Sequence, residues 1–127
     1  MKIIISNSSS VPIYEQIKNQ IIDQIISDEL NEGEAIPSIR LLASDIKISV
    51  MTIKKAYDEL ESEGYIKSVQ GKGTFVAPKN KELVRENANK EIESYIEKII
   101  DIANRFNINK KEILDLFEFI YGSDNNE

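Results

Sequence analysis

Two short amphipathic stretches meet at Lys47-Ile48 with no room for a loop between them, and this junction constrains the fold more than any other feature. Upstream, Ser38 is placed to cap IRLLASDI, whose Ile39, Leu42, Ala43 and Ile46 recur at helical spacing. Downstream, Ser49 is placed to cap VMTIKKAYDELESE, whose Ile53, Ala56, Tyr57 and Leu60 form one apolar stripe and which stops at Gly64. Two helices joined this tightly cross at a steep angle, the helix-turn-helix arrangement.

The segment that follows, VQGKGTFV, contains a Gly-Lys pair but is not a phosphate-cradling loop. Such a loop needs GxxxxGK followed by Ser or Thr between a strand and a helix. Here Gly73 follows Lys72, and Thr74, Phe75 and Val76 are strand formers running into Pro78. Tyr65, Ile66 and Val69 make the opposing strand, so the glycines serve a turn that needs positive φ. A hairpin after the second helix makes the helix-turn-helix winged.

Ahead of this unit, Ile13, Ile17, Ile21 and Ile25 define an amphipathic helix over Pro12 to Leu30, with Ile22 and Ile26 widening the stripe and Pro12 in the first turn. NEGEAIP, from Asn31 to Pro37, reads as a turn-rich connection. Past Pro78 a highly charged stretch becomes helical, with Tyr95, Ile96, Ile99, Ile100, Ala103 and Phe106 on one stripe. NRFNIN breaks it, and Asn109 with Glu112 forms a capping-box start for KEILDLFEFIY, which presents Ile113, Leu114, Leu116, Phe117 and Ile120 before Gly122 and a polar tail. Two helices with this much apolar surface and no further partner in the chain are expected to pair with a second copy. The expected fold class is therefore mainly α with a small β-hairpin: a winged helix-turn-helix domain over residues 1–77, then a two-helix C-terminal dimerisation segment over 78–127.

A chain of 127 residues buries only a modest core, which disfavours a large catalytic cleft. It contains no cysteine and no histidine, which removes thiol nucleophiles, disulfides, zinc clusters and the usual general base. With no paired carboxylates and no metal-ligand spacing, the expectation is no enzyme, no cofactor and no metal. The opening MKIIISNSSS has an apolar run too short for a signal-peptide core, and no stretch approaches a membrane span, so a cytoplasmic protein is expected.

The net charge of −6 argues at first against a nucleic-acid partner, but the charge is unevenly spread. Between Arg40 and Lys55, Arg40, Lys47, Lys54 and Lys55 outnumber the lone Asp45; between Tyr65 and Lys81, Lys67, Lys72, Lys79 and Lys81 meet no acid. In a helix-turn-helix the N-terminal end of the second helix reaches base edges in the major groove, and here that end holds Ser49, Val50, Met51, Thr52, Lys54 and Lys55. Thr52 offers a hydroxyl and a methyl, the lysines suit phosphate or guanine acceptors, and Arg40 is placed for the DNA backbone or groove edge. On the hairpin, Gln70 and Lys72 could enter the adjacent minor groove. Each has a plainer role too: Ser49 and Thr52 as capping residues, Lys54, Lys55 and Lys72 as solvated surface, Tyr57 as core.

These blocks together carry a family resemblance. Pro12-Ile13-Tyr14 with Gln16-Ile17, Pro37-Ser38-Ile39-Arg40 with Leu42-Ala43, Ser49 and Thr52-Ile53 with Ala56-Tyr57, Leu60, Gly64-Tyr65-Ile66, and Gly71 to Val76 resemble the DNA-binding domain of GntR-family bacterial transcription regulators. The short remainder is similar to the YtrA-like branch, whose small C-terminal part dimerises. The resemblance implies operator contacts at Arg40, Ser49, Thr52, Lys54, Lys72 and Gly73, and a homodimeric repressor on a pseudo-palindromic duplex operator. Val50 stands where many members have arginine, or in this branch often proline, which would remove a guanine reader worth about 1–3 kcal/mol of discrimination. A small apolar or cationic effector at the dimer seam is compatible with this plan. The competing expectation is a protein-interaction module that recruits a partner through its acidic and C-terminal helical surfaces.

Overall fold

The computed structural model describes residues 1–124; the remaining three residues of the expected polar tail lie outside the described residues. Helix α1 spans Ile13–Ile26, strand β1 Ala35–Ile36, α2 Ile39–Ile46, α3 Val50–Ser62, β2 Ile66–Val69, β3 Gly73–Val76, α4 Lys81–Phe106 and α5 Lys110–Asp124. Contacts divide the chain into two units, Met1–Arg85 and Glu86–Glu127.

The first unit is built around α3. Ile53, Ala56, Tyr57 and Leu60 are buried against Ile17, Ile21 and Ile25 of α1 and Leu42 and Ala43 of α2, with Ile66 and Val76 closing the core from the sheet. α1 is shorter than its hydrophobic period suggests. It ends at Ile26 because Ser27 caps it and Asp28 turns into the left-handed region at φ 64°, so Leu30 returns to the core through a bond from its amide to the Gln24 carbonyl. Ile22 packs on the core as expected, but Ile26 is 57% exposed.

The two helices of the helix-turn-helix form where their caps dictate. Ser38 Oγ accepts from the Leu41 amide, and Lys47 adopts a left-handed conformation at φ 56° that stops α2 and lets the Ile48 amide return to the Ala43 carbonyl. Ser49 then caps α3. The buried Tyr57 hydroxyl donates to the Pro37 carbonyl at 2.7 Å, tying α3 to the residue before α2. Across the helices, Lys18 of α1 pairs with Glu59 of α3 and with Glu63, the residue that caps the C-terminus of α3.

The expected two-stranded hairpin is part of a three-stranded antiparallel sheet in the order β1-β3-β2. Ala35 and Ile36, inside the stretch expected to be only a connection, pair with Phe75 and Thr74. A two-residue strand carries too little alternation to announce itself, and the pairing is set by the partner strand instead. In the hairpin Ile66 faces Val76 and Val69 faces Gly73.

The first six residues form an element that the sequence reading did not anticipate. Gln24, Gln20 and Gln16, one turn apart on α1, meet the backbone of Lys2, Ile4 and Ser6 in turn: each amide oxygen accepts from the backbone N–H and each amide nitrogen donates to the backbone C=O of the same residue. Four helical residues advance about 6 Å and two extended residues about 6.6 Å, so three rungs stay in step. Ile3 and Ile5, the alternate residues, pack on the core.

In the second unit, Asn109 and Glu112 exchange the reciprocal backbone bonds of a capping box at 2.9 Å each, as the sequence led us to expect. α4 begins earlier than the charged composition suggested, at Lys81 behind an Asn80 cap, so its first residues belong to the first unit and Val84 packs on that unit's core; α5 continues through Gly122 to Asp124. Of the apolar residues of this unit, Ala103 near the end of α4 is buried among the described residues, and the Ile108 amide returns to its carbonyl at 2.9 Å.

Burial pushes the Tyr57 hydroxyl well above its usual value. Burial pulls the Lys18 ammonium down, but hydrogen bonds and charge from Glu63 and Glu59 outweigh this and hold it above its usual value. Both groups bind their protons more tightly folded than unfolded, so their contribution to stability is complete below about pH 10 and is lost as pH rises through the folded values. Tyr57→Phe is expected to cost about 1 kcal/mol at neutral pH through the lost hydrogen bond. In urea titrations its gap from the wild type narrows above about pH 10, where the wild-type phenol begins to be penalised for staying protonated.

Candidate nucleic-acid interface

The N-terminal end of α3 projects from the first unit with its outer face exposed. Ser49 Oγ accepts from the Thr52 amide at 3.2 Å and shares a hydrogen bond with Thr52 Oγ1 at 2.8 Å, so both hydroxyls hold the first turn while Ser49 stays exposed and Thr52 half-buried. Beside them Val50 is 44% and Met51 72% exposed, and Leu41 of α2 is 52% exposed. Arg40, in the first turn of α2, is also exposed and makes no ion pair among the described residues.

The two lysines of α3 are in different states. Lys54 Nζ lies 2.6 Å from Asp58 one turn on, a neutralised pair. Lys55 has no acidic partner among the described residues and sits 4.1 Å over the Tyr14 ring of α1.

The wing is fixed to α3 by Glu61, whose carboxylate accepts from the Ser68 amide at 3.3 Å and the Ser68 hydroxyl at 3.0 Å. Its tip turns at Gly71, φ 77°, with the Lys72 amide donating to the Val69 carbonyl at 2.9 Å, and re-enters the strand through Gly73 at φ 118°. Gln70, Lys72 and Gly73 are all exposed.

Of the residues expected from the sequence, Ser49, Thr52, Lys54 and Lys55 share α3, Arg40 lies on the preceding helix, and Gln70, Lys72 and Gly73 share the wing. Leu41 had no expected role, Met51 was noted for its position alone, and Val50 for its position and as a departure from the arginine or proline common in the family. The signal for all three is an apolar residue on the outward side of a helix whose inward stripe is already complete. Tyr14 was missed as the neighbour of Lys55, since contacts between helices are not written in spacing; Asp58 was missed as the partner of Lys54 although the i,i+4 spacing on α3 carried that signal.

An exposed helix terminus after a tight turn, flanked by a basic hairpin, defines a winged helix-turn-helix protein. Residues 13–76 match the model for bacterial regulatory proteins of the gntR family. The chain belongs to that family. Among its relatives, the HTH-type transcriptional regulator YhcF of Bacillus subtilis is 35% identical over 107 residues, spanning 84% of this chain and 88% of the relative. The HTH-type transcriptional repressor YtrA of the same organism is 36% identical over 92 residues, 72% and 71% of the two chains. The structure is similar to that of YtrA from Sulfolobus acidocaldarius, a GntR-family transcription factor, with a TM-score of 0.58, 35% identity and coverage of 98% and 100%. It is also similar to the AraR DNA-binding domain in complex with operator ORR3, with a TM-score of 0.51, 34% identity and coverage of 61% and 93%. The resemblance to the YtrA-like branch therefore extends over the whole fold. Among the described residues no helix is long and apolar enough to cross a membrane.

Glu61→Ala is expected to loosen the wing without unfolding the helices. Hydrogen exchange at the Ser68 and Val69 amides should accelerate while the amides of α1 and of the α3 core stay protected.

Proposed function

We propose that this chain is a homodimeric transcription repressor that acts in the cytoplasm, has no enzymatic activity of its own, and reads a pseudo-palindromic duplex operator. The observation that carries the reading is the exposed first turn of α3, set between Arg40 and the wing. In the AraR domain, a similar fold stands in complex with operator DNA. By this reading residues 1–77 are the DNA-binding domain and 78–127 the dimerisation segment.

Residues 49 to 55 enter the major groove. Ser49 and Thr52 present hydroxyl and methyl groups at the base edges while capping their own helix, and Val50 and Met51 suit thymine methyls better than guanine. Arg40, Lys54 and Lys55 meet phosphates along the groove edge. Gln70 and Lys72 approach the adjacent minor groove, with Gly73 letting the backbone come close. Phosphate contacts set register and orientation, and the α3 terminus supplies the sequence reading.

The second unit supports dimerisation by what it lacks. Tyr95, Ile96, Ile99, Ile100 and Phe106 of α4, with Leu116, Phe117 and Ile120 of α5, are all about half exposed or more, and Ile113 is partly so. The pair has almost no core of its own. A second copy laid against these faces would bury them, and a two-fold dimer supplies two α3 helices for a pseudo-palindrome with half-sites about one helical turn apart.

Titrating the protein against the DNA upstream of its own gene by fluorescence anisotropy tests the operator reading. Tight binding to one fragment, falling steeply with salt, is expected; Lys72→Ala lowers the log-log salt slope by about 0.9, the share of one phosphate. Asp58→Asn is expected to tighten binding, since it removes the acid that competes for Lys54. Weak binding to all fragments alike, indifferent to both substitutions, would overturn this reading.

Sedimentation equilibrium tests the dimer. The wild type is expected at twice the chain mass, and Ile99→Asp near the single-chain mass with its helical content retained. A wild-type monomer would turn attention to a different protein as the partner of these helices.

A further inference from the structure

The two lysines of α3 raise a question that the operator reading leaves open: how does a flexible side chain on an acidic protein stay ready for a phosphate? Lys54 rests on Asp58, 2.6 Å away, and must break that pair before it can serve DNA. Lys18, the other lysine in contact with α3, is held by Glu59 and Glu63. Lys55 alone among these has a neutral platform, the ring of Tyr14, with its ammonium 4.1 Å from the ring centroid.

We propose that Tyr14 is a positioning residue for DNA binding: its ring holds the Lys55 ammonium at the α1–α3 edge in one orientation with its charge uncompensated, so that Lys55 meets a backbone phosphate at little ordering cost. An aromatic face attracts a cation through its quadrupole and cancels none of its net charge. A carboxylate in the same place would order the lysine equally well but would compete with the phosphate. Lys55 thus keeps its full attraction for DNA and has already given up part of the rotamer freedom that a long side chain loses on binding.

The platform is itself fixed. Tyr14 is half-buried and packs on the core beside Ile13, and it lies in the first turn of α1, directly after Pro12. That turn is pinned from outside by Gln16, whose amide nitrogen donates to both the Val11 and Ser6 carbonyls at 2.9 and 3.0 Å. Both ends of the contact are therefore anchored, Tyr14 on α1 and Lys55 on α3, and the pair reports the spacing of those two helices.

The inference rests on the operator reading above, and the experiment separates the two. A duplex selected from a random-sequence pool and a scrambled duplex of the same length are titrated over a range of salt with the wild type, Lys55→Ala, Tyr14→Leu, Tyr14→Phe and the double variant Tyr14→Leu/Lys55→Ala. Thermal unfolding of each variant establishes that it is folded at the assay temperature. Lys55→Ala is expected to reduce the salt slope by about 0.9. Tyr14→Leu, which keeps apolar bulk but removes the quadrupole, is expected to weaken binding toward the level of Lys55→Ala, and the double variant to be no weaker than Lys55→Ala alone. Tyr14→Phe keeps the ring face and is expected to bind like the wild type. A second readout is independent of DNA: the ε-methylene protons of Lys55 are expected upfield in the wild type and Tyr14→Phe and at ordinary shifts in Tyr14→Leu.

If Tyr14→Leu binds like the wild type while Lys55→Ala loses its slope contribution, the positioning role is overturned and the operator reading stands. Additive losses in the double variant overturn it as well, since the two residues then act separately. If the wild type shows no preference for the selected duplex and no salt dependence, the operator reading falls and takes this role with it.

Discussion

The burial of one face of α3 is the constraint from which the rest follows. Ile53, Ala56, Tyr57 and Leu60 are committed to the core, so the helix cannot roll, and its first turn and outer face are left in fixed positions at the surface. The surrounding contacts act on the same helix. Tyr57 reaches back to Pro37, Lys18 links it to α1, Glu61 holds the wing, and Ser49 closes its first turn. A protein of this size has a small core, and concentrating it on a single helix fixes that helix from several sides. On the proposed operator reading, fixing the helix in this way is what contact with base edges requires, since a rotation of a few degrees would move every side chain at its terminus out of register with a groove.

Much of the first unit was legible in the sequence because its signals are local. Caps at Ser38 and Ser49, the tight junction at Lys47-Ile48, the stop at Gly64 and the glycine-bearing turn at Gly71 are each decided within a few residues, and the structure places them as the pattern implies. What could not be read depends on a distant partner. β1 depends on the edge that β3 offers it, and the path of the amino-terminal residues depends on three glutamines on α1 and on core packing by Ile3 and Ile5. The same holds for the interface. Tyr14, 41 positions away on α1, sets Lys55 apart from Lys54, whose partner Asp58 stands at the local i,i+4 spacing, so one lysine is neutralised and the other stays charged.

Charge is distributed to the same end. The chain is acidic as a whole, yet much of the acid near α3 is spent on lysines or on the wing: Asp58 on Lys54, Glu59 and Glu63 on Lys18, Glu61 on Ser68. Arg40, Lys55 and Lys72 remain without ionic partners among the described residues, spread over α2, α3 and the wing. An acidic protein with a few deliberately unpaired cations binds a polyanion less tightly at random than a basic one would. On the proposed operator reading, a larger share of its selectivity would then rest on the α3 terminus.

The glutamine rungs beneath the first residues have a different kind of consequence. An amide that bonds to a backbone N–H and C=O is indifferent to the side chain carried there, so the positions of Lys2, Ile4 and Ser6 are held without being chosen. Only the alternate positions, Ile3 and Ile5, are asked for their chemistry. The start of this chain is thus a place where composition can drift across half its positions while its path over the molecule stays the same.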